Sequence, residues 1–83
     1  MIFTVYILFS ESGNIYYKGF TTDLNTRLEY HLSGKSPYTS KFCDWVLVYS
    51  KQFESKTEAL KEEKRLKKLN RLSIEKIISL GKV

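Results

Sequence analysis

The sequence predicts an α+β fold: a three-stranded, mainly antiparallel sheet flanked by helices, with elements in the order ββαβαα. Two β-prone runs, Ile2–Phe9 and Ile15–Phe20, stand on either side of Ser10-Glu11-Ser12-Gly13-Asn14, which is hairpin chemistry. Leu24, Leu28 and Leu32, and then Ala59, Leu60, Leu66 and Leu69, recur at helical spacing. Between these helical stretches, Trp45–Phe53 carries Val46, Leu47, Val48 and Tyr49, a third strand rich in β-branched and aromatic residues.

Each element has a local reason. Ile2–Phe9 is nearly all apolar, as a central strand covered on both faces should be. If Phe9 pairs with Asn14, Tyr6 lies directly opposite Tyr17. One face then carries Phe3, Val5, Ile7, Phe9, Tyr16 and Phe20, a core face. The other carries Thr4, Tyr6, Leu8, Ile15, Tyr17 and Gly19 and is smaller and more polar. Thr22 or Asp23 caps a helix that runs to Ser33, with Gly34 as its stop. Lys35–Asp44 is a polar loop around Pro37. Ser55-Lys56-Thr57-Glu58 is a capping box that opens a second helix to about Leu69. Ile74, Ile77, Ile78 and Leu80 give a short last helix ending at Gly81.

The 83 residues are expected to form one domain, 1–83, near the lower size limit for a self-supporting core. Six tyrosines, five phenylalanines and one tryptophan help, because each ring buries a large area. No apolar run approaches the roughly 20 residues a membrane helix needs. The N-terminus lacks the basic start of a secretory signal, so a cytoplasmic chain away from membranes is expected. Cys43 is the only cysteine and His31 the only histidine, which rules out an internal disulfide and disfavours a Cys/His zinc site.

Charge placement says more than the net +5. Residues 1–50 carry four basic and four acidic side chains and cancel, whereas residues 51–71 carry a local +4. A basic segment suggests a polyanion partner; a solvated helix face laced with Glu–Lys pairs is the competing reading.

Few residues can carry chemistry. Tyr6 and Tyr17 are expected as cross-strand neighbours on the less apolar face, whereas Tyr16, Tyr30 and Tyr49 are read as packing. A phenol is a poor base unless a nearby cation lowers its pKa. Gly19, after Tyr17, allows close approach of a backbone or ligand. Arg27 flanks the leucine stripe of the first helix and can offer a planar fork to phosphate oxygens, although a plain surface arginine is the commoner case. His31, one turn on, projects almost onto that stripe, as a half-buried structural histidine or a proton carrier. Glu63 falls close to the centre of the second helix's apolar arc, with Glu62 nearer its edge. A carboxylate there must be paired, hydrogen-bonded or metal-bound, or sit at the core margin with its head in water.

At these residues the chain resembles the GIY-YIG nuclease superfamily over nearly its whole length. Thr4-Val5-Tyr6 stands where the first motif would be and Tyr17-Lys18-Gly19 where the second would be. The stretch Gly19–Arg27 is similar to the one ending in the family's catalytic arginine. Gly34–Thr39 and Trp45–Tyr49 resemble the small single-domain members of the UPF0213 type. Glu58–Glu63 resembles the helix bearing the metal-binding glutamate, and its spacing selects Glu63. Thr4 and Lys18 depart from the motifs, replacing Gly and Ile. Asn70 follows the second helix closely for the late asparagine that many larger members carry near the metal.

The resemblance implies an endonuclease acting on DNA phosphodiesters, on branched or flapped structures, in repair or recombination. It implies a divalent cation, Mg²⁺ or Mn²⁺, on Glu63, with Arg27 on the phosphoryl oxygens and Tyr6, helped by Tyr17 or His31, activating water. Lys35, Lys41, Lys64, Lys67 and Lys68 are then expected along the nucleic-acid backbone. So small a chain has little surface for base readout, which leaves specificity to partner proteins. The alternative is a non-catalytic nucleic-acid-binding module with a degenerate nuclease site.

Overall fold

The computed structural model describes residues 1–81. Its elements are β1 (Phe3–Ser10), β2 (Ile15–Thr21), α1 (Leu24–Leu32), β3 (Trp45–Phe53), α2 (Lys56–Lys68) and α3 (Arg71–Gly81). The sheet order is β2-β1-β3 with both neighbours antiparallel to β1, so the most apolar strand is the central one. Among the described residues no helix is long and apolar enough to cross a membrane.

The hairpin register differs from the expected one by two residues. Phe9 pairs with Tyr16 rather than Asn14, Leu8 faces Tyr17, and Tyr6 faces Gly19. The turn accounts for this. Four residues, Glu11 to Asn14, lie between the paired Ser10 and Ile15, and the Asn14 N–H donates to the Glu11 carbonyl at 3.2 Å. Asn14 closes the turn at φ 52°, in the left-handed region that asparagine tolerates. Distant side chains clamp it. Asp44 accepts from the Ser10 hydroxyl at 2.6 Å and the Ser12 N–H at 2.8 Å, while Arg71 donates to the Asn14 carbonyl at 2.7 Å. An even slip leaves every side chain on its expected face, so Tyr6 and Tyr17 remain on one side as diagonal neighbours.

Each sheet face has its own core. Val5 and Ile7 point at α2 and α3 and meet Ala59, Leu66, Ile74 and Ile78, with Phe3, Tyr16, Phe20 and Phe53 at the margin. A bulge opposite Ile7 and Leu8 adds a residue to β3, and both Val48 and Tyr49 pack on this side. Tyr6 and Leu8 point the other way, where Trp45, Phe42, Tyr17, Leu24 and Leu28 cover them.

The helix ends follow their side chains. Asp23 caps α1, accepting from the Thr26 N–H at 3.2 Å and the Thr26 hydroxyl at 2.8 Å, and Gly34 leaves the helix at φ 77°. The leucine stripe stops one turn early: Leu32 is 49% exposed, and His31 takes the buried place instead. Ser55 caps α2 through the Glu58 N–H. Helix α3 begins at Arg71, before its first expected apolar residue Ile74. Asn70 caps it by accepting from the Ser73 N–H at 2.9 Å.

Candidate active site

Helix α1 lies against the Tyr6 face and brings His31 onto it. Tyr6 and His31 are each 1% exposed, and the Tyr6 hydroxyl sits 2.9 Å from His31 Nε2. On its other side His31 Nδ1 lies 2.9 Å from the Thr39 hydroxyl. Thr39 is itself buried, and its carbonyl accepts from Trp45 Nε1–H at 2.9 Å, which ties the loop to β3. The result is a buried polar chain, Tyr6–His31–Thr39. If Nδ1 carries the proton, Tyr6 donates to Nε2; with the other tautomer, both hydroxyl contacts reverse. His31 is therefore buried further than its place beside the leucine stripe suggested, with both ring nitrogens in use.

Tyr17 is half-buried and joins this pair, its ring centroid 4.8 Å from that of His31 and 6.4 Å from that of Tyr6. Gly19 makes the arrangement possible. A Cβ there would meet the Tyr6 hydroxyl and Cζ inside van der Waals contact, so only glycine leaves room for the ring. The close approach expected at Gly19 is thus made by a side chain of the neighbouring strand.

Arg27 projects from α1 into solvent with its guanidinium over the Tyr30 ring, 5.4 Å from the centroid. It lines a cleft with Thr21, Thr22, Asp23 and Thr26. Tyr17 lines another with Tyr16, Lys18, Tyr38 and Lys67. Arg27 and Tyr17 thus line two different clefts that share no residue.

The charges nevertheless act on common groups. Burial pushes the Tyr6 phenol well above its usual range; Tyr17 adds to the shift, Arg27 opposes it and Glu63 adds a little. Burial also raises Tyr17, again with Arg27 opposing and Glu63 adding. Burial, and then Arg27, hold His31 below its ordinary value, so it is neutral at pH 7. Both phenols thus keep their protons at rest and feel both the guanidinium and the carboxylate.

Helix α2 presents two adjacent carboxylates to the sheet. Ala59 and Leu66 are its buried positions, and residues 62 and 63 lie between them on opposite flanks. The order of burial differs from the helical projection: the Glu62 side chain is 11% exposed and that of Glu63 is 18%. The two have different partners. Glu62 is held by Arg65, whose Nε and Nη2 donate at 2.6 and 2.9 Å, and by the Tyr49 hydroxyl at 3.4 Å. Among the described residues Glu63 has a single looser ion pair, with Lys67 at 3.7 Å.

The remaining lysines spread around these groups. Lys67 adjoins Tyr17, Lys35 lines a cleft with Thr26, Glu29 and Tyr30, and Lys41, Lys64 and Lys68 are exposed. Sequence reasoning missed Thr39 and Tyr30. Thr39 lies in a loop without periodicity, and Tyr30 had no feature to separate it from a packing aromatic.

The donor set fits a hard divalent cation. Among the described residues no group of three or more His, Cys, Asp and Glu side chains is placed to hold a metal. Glu63 alone, partly exposed and loosely paired, is the carboxylate that would hold such a cation, with waters and a substrate phosphate completing its shell.

Comparison with known proteins agrees with this fold. The family model for the GIY-YIG catalytic domain matches residues 2–76. UPF0213 protein BH0048 of Halalkalibacterium halodurans is 40% identical over 77 residues, covering 92% of this chain and 81% of that protein. A UPF0213 protein of Streptococcus pneumoniae is 40% identical over 76 residues, covering 90% of this chain and 76% of the other. The solution structure of the BH0048 protein superposes with a TM-score of 0.65 at 38% identity, covering 98% of this chain and 86% of that one. With its motifs in order along that fold, the chain belongs to the GIY-YIG family, among the small UPF0213 proteins.

Proposed function

We propose that this protein is a metal-assisted endonuclease that hydrolyses phosphodiester bonds in DNA. The observation that carries the reading is the buried Tyr6–His31 pair, with Tyr17 against it and the charges of Arg27 and Glu63 bearing on both phenols. Glu63 would hold the cation, which would supply Lewis-acid chemistry for the scissile phosphate. Arg27, exposed at the rim, meets the phosphoryl oxygens with two N–H groups and offsets the charge that grows there. Tyr6 takes a proton from the attacking water as it passes its own to Nε2 of the neutral His31. Thr39 keeps the imidazole oriented for that exchange. Tyr17, half-buried, stands beside the inner phenol and the imidazole. The exposed lysines hold the sugar–phosphate backbone without regard to sequence.

A second reading has its own support. The raised Tyr6 pKa and the Lys67 ion pair on Glu63 also suit a nucleic-acid-binding module whose nuclease site is idle. Incubation with a panel of single-stranded, duplex, flapped and branched DNAs in Mg²⁺ or Mn²⁺ separates the two. Chelator-sensitive cleavage is expected of the nuclease. Binding without cleavage in either metal would establish the module instead.

A further inference from the structure

Tyr38 is 78% exposed, while the five other tyrosines are buried or half-buried. The face of its ring is open to a partner. Its backbone is nonetheless firmly held. Ser36 is 3% and Thr39 0% exposed, and Thr39 is bonded to both His31 and Trp45. The ring is a platform standing out of an anchored loop.

The platform lies beside the candidate active site. Tyr38 shares a cleft of about 350 Å³ with Tyr16, Tyr17, Lys18 and Lys67. Tyr38 also contributes to the raised pKa of Tyr17. Two ammonium groups flank the cleft. Lys67 has only its loose pair with Glu63, and among the described residues Lys18 makes no ion pair. Lys18 is one of the two residues, with Thr4, that depart from the family motifs.

We propose that Tyr38, Lys18 and Lys67 form a subsite for an unpaired DNA nucleotide beside the bond to be cut, with the base stacked on Tyr38 and its phosphates held by the two lysines. The proposal rests on the nuclease reading above and adds to it a class of substrate. A flat aromatic face between cations matches a base with its phosphates, and a base offers its face only when it has left the duplex stack. Bases of every kind have such a face, so the subsite selects strand structure without selecting sequence.

Fluorescence anisotropy with EDTA present, which prevents cleavage, tests this. The probes are a labelled oligothymidylate of about 15 nucleotides, a duplex of equal length, and a base-less deoxyribose-phosphate oligomer. Tyr38→Ala is expected to weaken oligothymidylate binding about tenfold and to leave duplex and base-less affinities unchanged. Tyr38→Phe, which keeps the ring face, should retain wild-type affinity. Lys18→Ile should weaken both single-stranded probes and flatten their salt dependence. If wild type binds oligothymidylate and Tyr38→Ala binds it equally, or loses affinity equally for all three probes, the subsite is overturned and the nuclease reading stands. If wild type binds none of the probes at low salt, both fall together.

Discussion

His31 is the single histidine of the chain, so its imidazole can be followed alone by NMR. Burial favours its neutral form, and Arg27 pushes in the same direction. A folded-state pKa below the unfolded value of 6.5 contributes stability above pH 6.5, and this is lost as pH falls through the folded value. The expected titration midpoint therefore lies below 6.5, with weakening of the fold beginning on the acid side; a midpoint at or above 6.5 would contradict the buried pair. Gly19 is the second diagnostic residue. The Tyr6 ring fills the space a Cβ would need, so Gly19→Ala should destabilise by about 1–3 kcal/mol in urea unfolding. An unchanged midpoint would mean the ring does not lie there. At this scale the sequence was informative where spacing is local. Tyr6, Tyr17 and Arg27 could be placed because a hairpin and one helical turn connect them. Thr39 could not, because its bond to His31 crosses a loop with no repeating pattern.

Helix α2 illustrates what periodicity resolves and what it does not. The repeat put both Glu62 and Glu63 on the sheet side with Glu63 nearer the centre of the arc, but the side chain buried further is that of Glu62, and the projection gave no partner for either. Tyr49 and Arg65 settle Glu62, and those contacts depend on the β3 bulge and on side-chain reach. Glu62→Gln should cost about 1 kcal/mol, since it gives up a charged hydrogen-bond pair whose arginine partner remains in water. Glu63→Gln should change stability by about 0.5 kcal/mol or less. The reverse order in chemical unfolding would exchange their roles.

The hairpin gives a second test at this scale. Its register slipped from the expected one because residue types alone do not fix how many residues a turn consumes. Asp44 pins the turn, and the Ser10 hydroxyl above all holds its carboxyl down at about 2. A depressed carboxylate stabilises above its ordinary value of 3.8 and loses that contribution as pH falls through about 2. Wild type should be more stable than Asp44→Asn by a constant margin above pH 3.8, and the two should converge toward pH 2. A margin that persists at pH 2 would locate the effect elsewhere.

Across the whole molecule, the fold and the charge distribution were both legible in the sequence. The central strand was the most apolar run, the caps marked the helix starts, and the motif order carried the family. The division of the site was not legible: Arg27 and Tyr17 line two different clefts, a matter of how α1 and α2 sit against opposite sheet faces. The basic segment makes a claim of its own. Replacing Lys64, Lys67 and Lys68 together by alanine should lower the slope of log affinity against log salt by about 2–3, as loss of three phosphate contacts requires. An unchanged slope would mean that α2 does not meet the nucleic acid.

The measurement closest to the central claim separates binding from chemistry. Single-turnover cleavage of the best substrate in Mg²⁺ is compared with the affinity for that DNA without metal, for wild type, Tyr6→Phe, Arg27→Ala and Glu63→Gln. The account predicts rates reduced at least about 100-fold in all three variants, with affinities within about threefold for Tyr6→Phe and Glu63→Gln. Cleavage at the wild-type rate by Arg27→Ala and Glu63→Gln would contradict it.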